Sequence, residues 1–230
     1  MPKDAPVSRG DETRNQLLDA GLRLFSIHGY ESVSTRQLTT ESGANIAAIN
    51  YHFGGKEGLY RAVLEQLVTD TEEYFGPGLE KIKSNILAGG DDPHKLVGVI
   101  KGFVTNMFRI FLQDEFMRWR APLVMREYAN PSENFDILFK GRIEPLHKTV
   151  TAIAATVMKK PMDDPECVIR AHAILGQIVV FGIARVVLWK RLDWEGYTPE
   201  RVTMIADIAT QSVLNSIGLS SAENLQEKGN

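Results

Sequence analysis

The chain has 230 residues, 43% of them hydrophobic and 24% charged, and carries a net charge of −3. That balance excludes a disordered or fibrous chain, and the length accommodates one ordinary domain or a small one joined to a larger one. The single cysteine, Cys167, excludes an internal disulfide and fits a reducing compartment, so a cytoplasmic protein is expected.

Helical periodicity dominates, with no convincing strand alternation. Residues 1–11 are polar, contain two prolines and lack the apolar core of a secretory signal, which predicts a flexible arm. Leu17, Gly21, Leu24 and Phe25 share one face of a helix over Glu12–His28, which Gly29-Tyr30 ends. Ser34 with Gln37 has capping-box spacing for a short helix, and Ser42-Gly43 supplies a sharp left-handed turn. Asn45 then caps a second short helix carrying Asn50, Tyr51 and His52. A third pattern runs from Lys56 to about Phe75, where Gly76-Pro77-Gly78 reads as the strongest breaker in the chain.

Beyond it, Asp92-Pro93 begins a helix to about Gln113, with Val97, Ile100, Val104, Phe108 and Phe111 inward. Glu115–Tyr128 follows, interrupted by Pro122, and the next helix starts at Asn130-Pro131-Ser132. Pro145 must bend or split it before it resumes to Lys160. Asp163-Asp164-Pro165 starts a helix over Glu166–Arg191, and Thr198-Pro199-Glu200 starts the last, to Ile217. Residues 221–230 read as a frayed tail. Ala173–Trp189 is almost wholly apolar, but Gln177 and Arg185 and its shortness favour a buried helix, covered on both faces, over a membrane span.

Two short helices joined by a tight turn match the helix-turn-helix, whose second helix enters the DNA major groove. Gly29-Tyr30, Ser34-Thr35-Arg36-Gln37-Leu38, Ser42-Gly43-Ala44 and the run Tyr51–Tyr60 together resemble the TetR-type regulators. Asn45–Ile49, Pro145-Leu146-His147 and His172–Gly176 are further similar to a CecR-like subgroup. The resemblance implies an all-α homodimer: a three-helix helix-turn-helix head over residues 12–75 and a helical-bundle body over 76–220 for ligand binding and dimerisation. It also implies a transcription regulator, most often a repressor, that a small-molecule effector releases from a palindromic double-stranded operator.

The expected DNA contacts are Ser34, Thr35, Arg36, Asn45, Ala47, Ala48, Asn50, Tyr51, His52 and Lys56. Asparagine can bond two atoms of adenine's major-groove edge, and the alanines let the helix approach closely and touch thymine methyls. By the resemblance, Ser34, Thr35 and Lys56 grip the sugar-phosphate backbone, and Phe53 belongs to the core. Asn50 departs from the tyrosine common there. Net charge lends no help: residues 1–62 hold seven Lys/Arg and seven Asp/Glu, the remainder nineteen against twenty-two.

In the body, an aromatic and sulfur-rich set interrupted by polar side chains reads either as core or as an effector pocket. Its candidates are Phe103, Met107, Phe111, Trp119, Arg126, His147, His172 and Gln177, suited to an amphipathic or anionic molecule. Val179, Val180, Ile183, Val187, Ile205, Ile208 and Val213 are the candidate dimer seam. The five histidines are scattered and no second cysteine exists, so no catalytic constellation, metal site or cofactor is expected. The rival reading is a helical small-molecule-binding or catalytic protein whose head makes protein contacts.

Overall fold

The computed structural model describes residues 9–89 and 92–219, which are helices and turns with no strand among them. In chain order the α-helices are α1 (Arg9–His28), α2 (Thr35–Ser42), α3 (Ile46–Phe53), α4 (Lys56–Gly89), α5 (Pro93–Gln113), α6 (Met117–Ala129), α7 (Phe135–Leu138), α8 (Glu144–Met158), α9 (Pro165–Ile183), α10 (Arg185–Leu192) and α11 (Pro199–Ser216). The chain forms two compact units, the first reaching Glu72 and including Phe116–Arg142, the second holding Glu73–Glu115 and the chain from Ile143 onward.

In the first unit, Leu17, Phe25, Val33, Leu38, Ile49, Leu59, Val63 and Leu64 are buried in a common core. The Tyr60 ring meets Phe25 edge-on at 4.9 Å. α6 packs on α1 within this unit. In the second unit, α5 packs on α11 and α8 on α9 around Ile100, Phe103, Val104, Phe108, Ile153, Ile174, Ile178, Val202 and Ile205.

Local expectations need correction at several points, among them Pro122, which α6 runs through, and the next helix, which starts at Phe135 rather than at Asn130-Pro131-Ser132. α1 opens at Arg9 rather than Glu12; the rest of the expected arm, and the expected tail, lie outside the described residues. Gly76-Pro77-Gly78 does not break the chain, because α4 runs through it to Gly89. Pro77 removes one helical hydrogen bond, but Phe75, Leu79 and Ile86 are buried at helical spacing on either side, and that burial outweighs the local cost. Pro145 splits its helix as expected, with Phe139–Ile143 wound as a π-helix and Pro145 in the first turn of α8, where its missing amide costs least. The helix expected over Glu166–Arg191 divides at Ala184 into α9 and α10.

α5 and α9 are long and apolar enough to cross a membrane by length and composition alone. Each turns one face into the core of the second unit, α5 through Ile100, Val104 and Phe108, α9 through Cys167, Ala171, Ile174 and Ile178.

Candidate nucleic-acid interface

The α2–turn–α3 geometry is built from local hydrogen bonds. The Gln37 amide donates to Ser34 Oγ at 3.2 Å, and the Ser34 amide donates back to Gln37 Oε1 at 2.8 Å. Gly43 then takes φ 71°, a left-handed conformation that costs a residue with a Cβ about 1 kcal/mol or more. α3 opens with the Ala48 amide donating to Asn45 Oδ1 at 2.8 Å.

α3 holds itself in place through Ile49, which is fully buried, and turns the rest outward. Tyr51 is 85% exposed, Asn50 and Ala47 are exposed, and Ala48 and His52 are half-buried. Tyr51 and His52 rings meet at 4.9 Å, nearly perpendicular. Ser34 and Arg36 are exposed and Thr35 is half-buried. α3 thus presents an uncharged edge of amide, phenol, imidazole and methyl groups, the set that reads base edges and methyls. Phe53, expected as a core residue, is only half-buried and lies 5.6 Å beneath the Arg14 guanidinium.

Two of the expected contacts change character. Asn45 spends its carbonyl oxygen on the cap, leaving only its amide hydrogens for a base, so the expected bidentate adenine contact falls to Asn50. Lys56 turns inward: its ammonium donates to the Tyr30 and Val33 carbonyls at 2.9 Å each and sits 4.2 Å over the Tyr30 ring. Two of its three hydrogens are therefore committed to fixing the loop before α2.

Sequence reasoning missed the α6 residues that brace this head. Arg126 Nε donates to the Ser26 carbonyl at 2.9 Å, and its guanidinium also binds the Ile27 carbonyl, satisfying the end of α1 with a cation. Glu127, 2% exposed, accepts from the Tyr60 hydroxyl and from the Ser132 amide and hydroxyl at 3.1 and 3.0 Å. Burial first, and the bond to Glu127 second, push the Tyr60 hydroxyl well above the usual phenol range. Arg120 pairs with Asp70. No sequence signal joins these partners, which lie 50 to 100 residues apart.

The candidate effector residues do not form one group. Trp119 and Arg126 belong to the first unit, and Arg126 is occupied by α1. In the second, Phe103 is buried in the core, Met107 and Gln177 are half-buried, and Phe111 lines a cavity of about 210 Å³ with Leu112, Gly182, Arg185, Trp189, Gly196 and Tyr197. A second cavity of about 410 Å³ lies between the end of α4 and α8, with Lys83, Lys148 and Lys160 among its lining. The His147 and His172 rings lie 5.8 Å apart. Burial, then the neighbouring His172, holds the His147 imidazole below its usual value of 6.5. Its neutral form is favoured on folding, so the stability it lends is complete above about pH 6.5 and is lost as pH falls through the lower folded value. The melting temperature should therefore drop more steeply between pH 7.5 and 5.5 in the native chain than in His147→Gln, which calorimetry at both pH values would read.

Of the expected seam residues, Val180, Ile183, Val187 and Ile208 are exposed and Val179 is half-buried. Ile205 and Val213 are not available to a partner: at 5% and 1% exposure they lie on the face of α11 that packs into the chain's own core.

A capped helix, a glycine turn and an outward-facing uncharged second helix define a helix-turn-helix DNA-binding protein. The family model for bacterial regulatory proteins of the tetR family matches residues 17–63. The model for the C-terminal domain of the HTH-type transcriptional dual regulator CecR matches residues 96–218. The chain belongs to the TetR family of transcription regulators, in the subgroup with the CecR-type C-terminal domain. It is 26% identical over 210 residues to the HTH-type transcriptional dual regulator CecR of Shigella flexneri, spanning 91% of this chain and 93% of that protein. It is 36% identical over 93 residues to the repressor AcnR of Corynebacterium glutamicum, covering 39% of this chain and 48% of that one. Among solved structures, AibR in complex with isovaleryl coenzyme A and operator DNA shares the fold, with a TM-score of 0.59 and 14% identity over 87% of this chain and 97% of that one. These relatives are transcription regulators rather than enzymes.

Proposed function

We propose that the protein is a homodimeric repressor of the cytoplasm that holds a palindromic operator with two copies of α3 and releases it when a small molecule enters the body. The observation that carries this reading is the outward edge of α3, where Tyr51 is 85% exposed beside exposed Asn50 and Ala47. Asn50 reads adenine, Tyr51 and His52 reach phosphate or base edges, and Ala47 meets thymine methyls. Ser34, Thr35 and Arg36 contact the backbone, and Lys56 serves by holding the loop that positions them.

Val180, Ile183 and Val187 on α9–α10, with Ile208 and Met204 on α11, are large apolar side chains left 49–65% exposed. That favours a self-complementary seam setting the two heads about 34 Å apart, one turn of duplex. Ile183→Asp should then give monomers that no longer retain operator DNA, and light scattering that still reads a dimer would refute the seam. Control by an effector is supported by the cavities in the second unit and by AibR, studied with both a thioester ligand and its operator. The two ligands would weaken each other by an equal factor, typically ~1–3 kcal/mol.

The deciding experiment is in-vitro selection of the bound duplex followed by titration. Tyr51→Ala should lose the selected operator while still dimerising. Asn50→Ala should relax preference at one base pair by about 1–3 kcal/mol. Equal weakening on operator and random duplex would exclude base reading by Asn50.

A further inference from the structure

The smaller cavity, about 210 Å³, sits among Phe111 and Leu112 of α5, Gly182 of α9, Arg185 and Trp189 of α10, and Gly196 and Tyr197. Its walls are aromatic: the Trp189 and Tyr197 rings meet at 5.3 Å, nearly perpendicular. The turn that closes it is fixed, because the Tyr197 hydroxyl donates to the Phe181 carbonyl at 2.7 Å and Arg201 donates to the Gly196 carbonyl at 2.8 Å.

Two of its side-chain donors have no partner among the described residues. The Arg185 guanidinium lies 5.7 Å over the Trp189 ring, with no carboxylate or hydrogen-bond partner among the described residues. Trp189 Nε1 is buried and finds no acceptor. Both are donors: Trp189 Nε1 is left buried without an acceptor, which costs about 1–3 kcal/mol, while the Arg185 side chain is exposed and free to meet an anion at the mouth of the cavity. The larger cavity lacks this feature, since Lys83, Lys148 and Lys160 each pair with a carboxylate on a neighbouring turn or loop.

We propose that this cavity is a binding site for a small carboxylate with a flat apolar body. The carboxylate answers the Arg185 guanidinium, which binds such groups in a planar, two-pronged geometry. The body stacks among Phe111, Trp189 and Tyr197. The space equals that of about seven liquid waters at ~30 Å³ each, which admits a single substituted ring and excludes a drug-sized ligand. Arg185 and Trp189 stand one turn apart on α10, on the side away from Ile183 and Val187, so the site stays open when that stripe is covered. The site rests on the effector reading only for its consequence at the operator.

Calorimetry on the full chain with sodium benzoate, and with benzamide as its uncharged isostere, tests it. Benzoate should bind saturably and benzamide at least tenfold more weakly. Arg185→Gln should lose at least tenfold in benzoate affinity, whereas Lys148→Gln, in the other cavity, should not change it. No saturable heat, equal binding of benzamide, or an unaffected Arg185→Gln would each overturn the site. Titrating operator DNA against the benzoate-loaded protein separates the two readings: operator held as tightly as before would sink release by a ligand at this site and leave the site itself standing.

Discussion

Gly58→Ala should unfold the junction between α3 and α4 and abolish operator binding. A Cβ built on Gly58 would stand 1.8 Å from the Phe53 carbonyl oxygen and 2.9 Å from its carbon. The obstacle is backbone at the end of the recognition helix, so no side-chain rotation relieves it. Either α4 shifts outward or α3 loses its last turn. Overpacking of this kind costs roughly 3 kcal/mol or more, a large share of the stability of a domain this size. Thermal unfolding and operator titration would read the effect together. Gly98→Ala is the control: Gly98 lies in α5 with nothing within 4 Å of a new Cβ, and there alanine should be neutral or stabilise by up to ~1 kcal/mol. Equal melting temperatures for the two variants would contradict the close approach.

Glu127→Leu should be nearly as damaging, for an electrostatic rather than a steric reason. The carboxyl group accepts from Tyr60, the Ser132 amide and the Ser132 hydroxyl in a site it shares with almost no water. Leucine fills the volume but orphans three donors, which should cost ~3–5 kcal/mol. Tyr60→Phe leaves the Ser132 bonds in place and should cost only about 1–3 kcal/mol. The double variant Tyr60→Phe/Glu127→Leu should fall short of the sum, since the first change removes a donor that the second would strand. Strict additivity in denaturant unfolding would show that the two side chains do not act as a pair.

The helix-turn-helix was legible in the sequence because its determinants are local. Ser34 and Gln37, Gly43, and Asn45 with the Ala48 amide all act within three residues of one another. Pro77 was misread because its cost is local while the burial of Phe75, Leu79 and Ile86 that overrides it is tertiary. Lys56 looked like a free cation because its carbonyl partners lie 23 and 26 residues earlier, with no pattern to announce them. The same holds for Arg126, which reaches back to the end of α1 from 99 and 100 residues away. α11 defeated periodicity differently: it is apolar on two sides, with Ile205 and Val213 inside and Met204 and Ile208 outside. Spacing identifies both stripes but not which of them the chain covers by itself.

The inward turn of the Lys56 ammonium has a consequence for how the protein meets its target in a cell whose ionic strength fluctuates. Arg23 is drawn to Glu41 at 3.5 Å, so two cations in the described part of the head, Arg23 and Lys56, have protein partners and are less free to displace the condensed ions around a duplex. Each phosphate neutralised contributes roughly −0.9 to the slope of log affinity against log salt. Occupancy of a target promoter should therefore persist through osmotic upshift that strips more basic regulators from their sites.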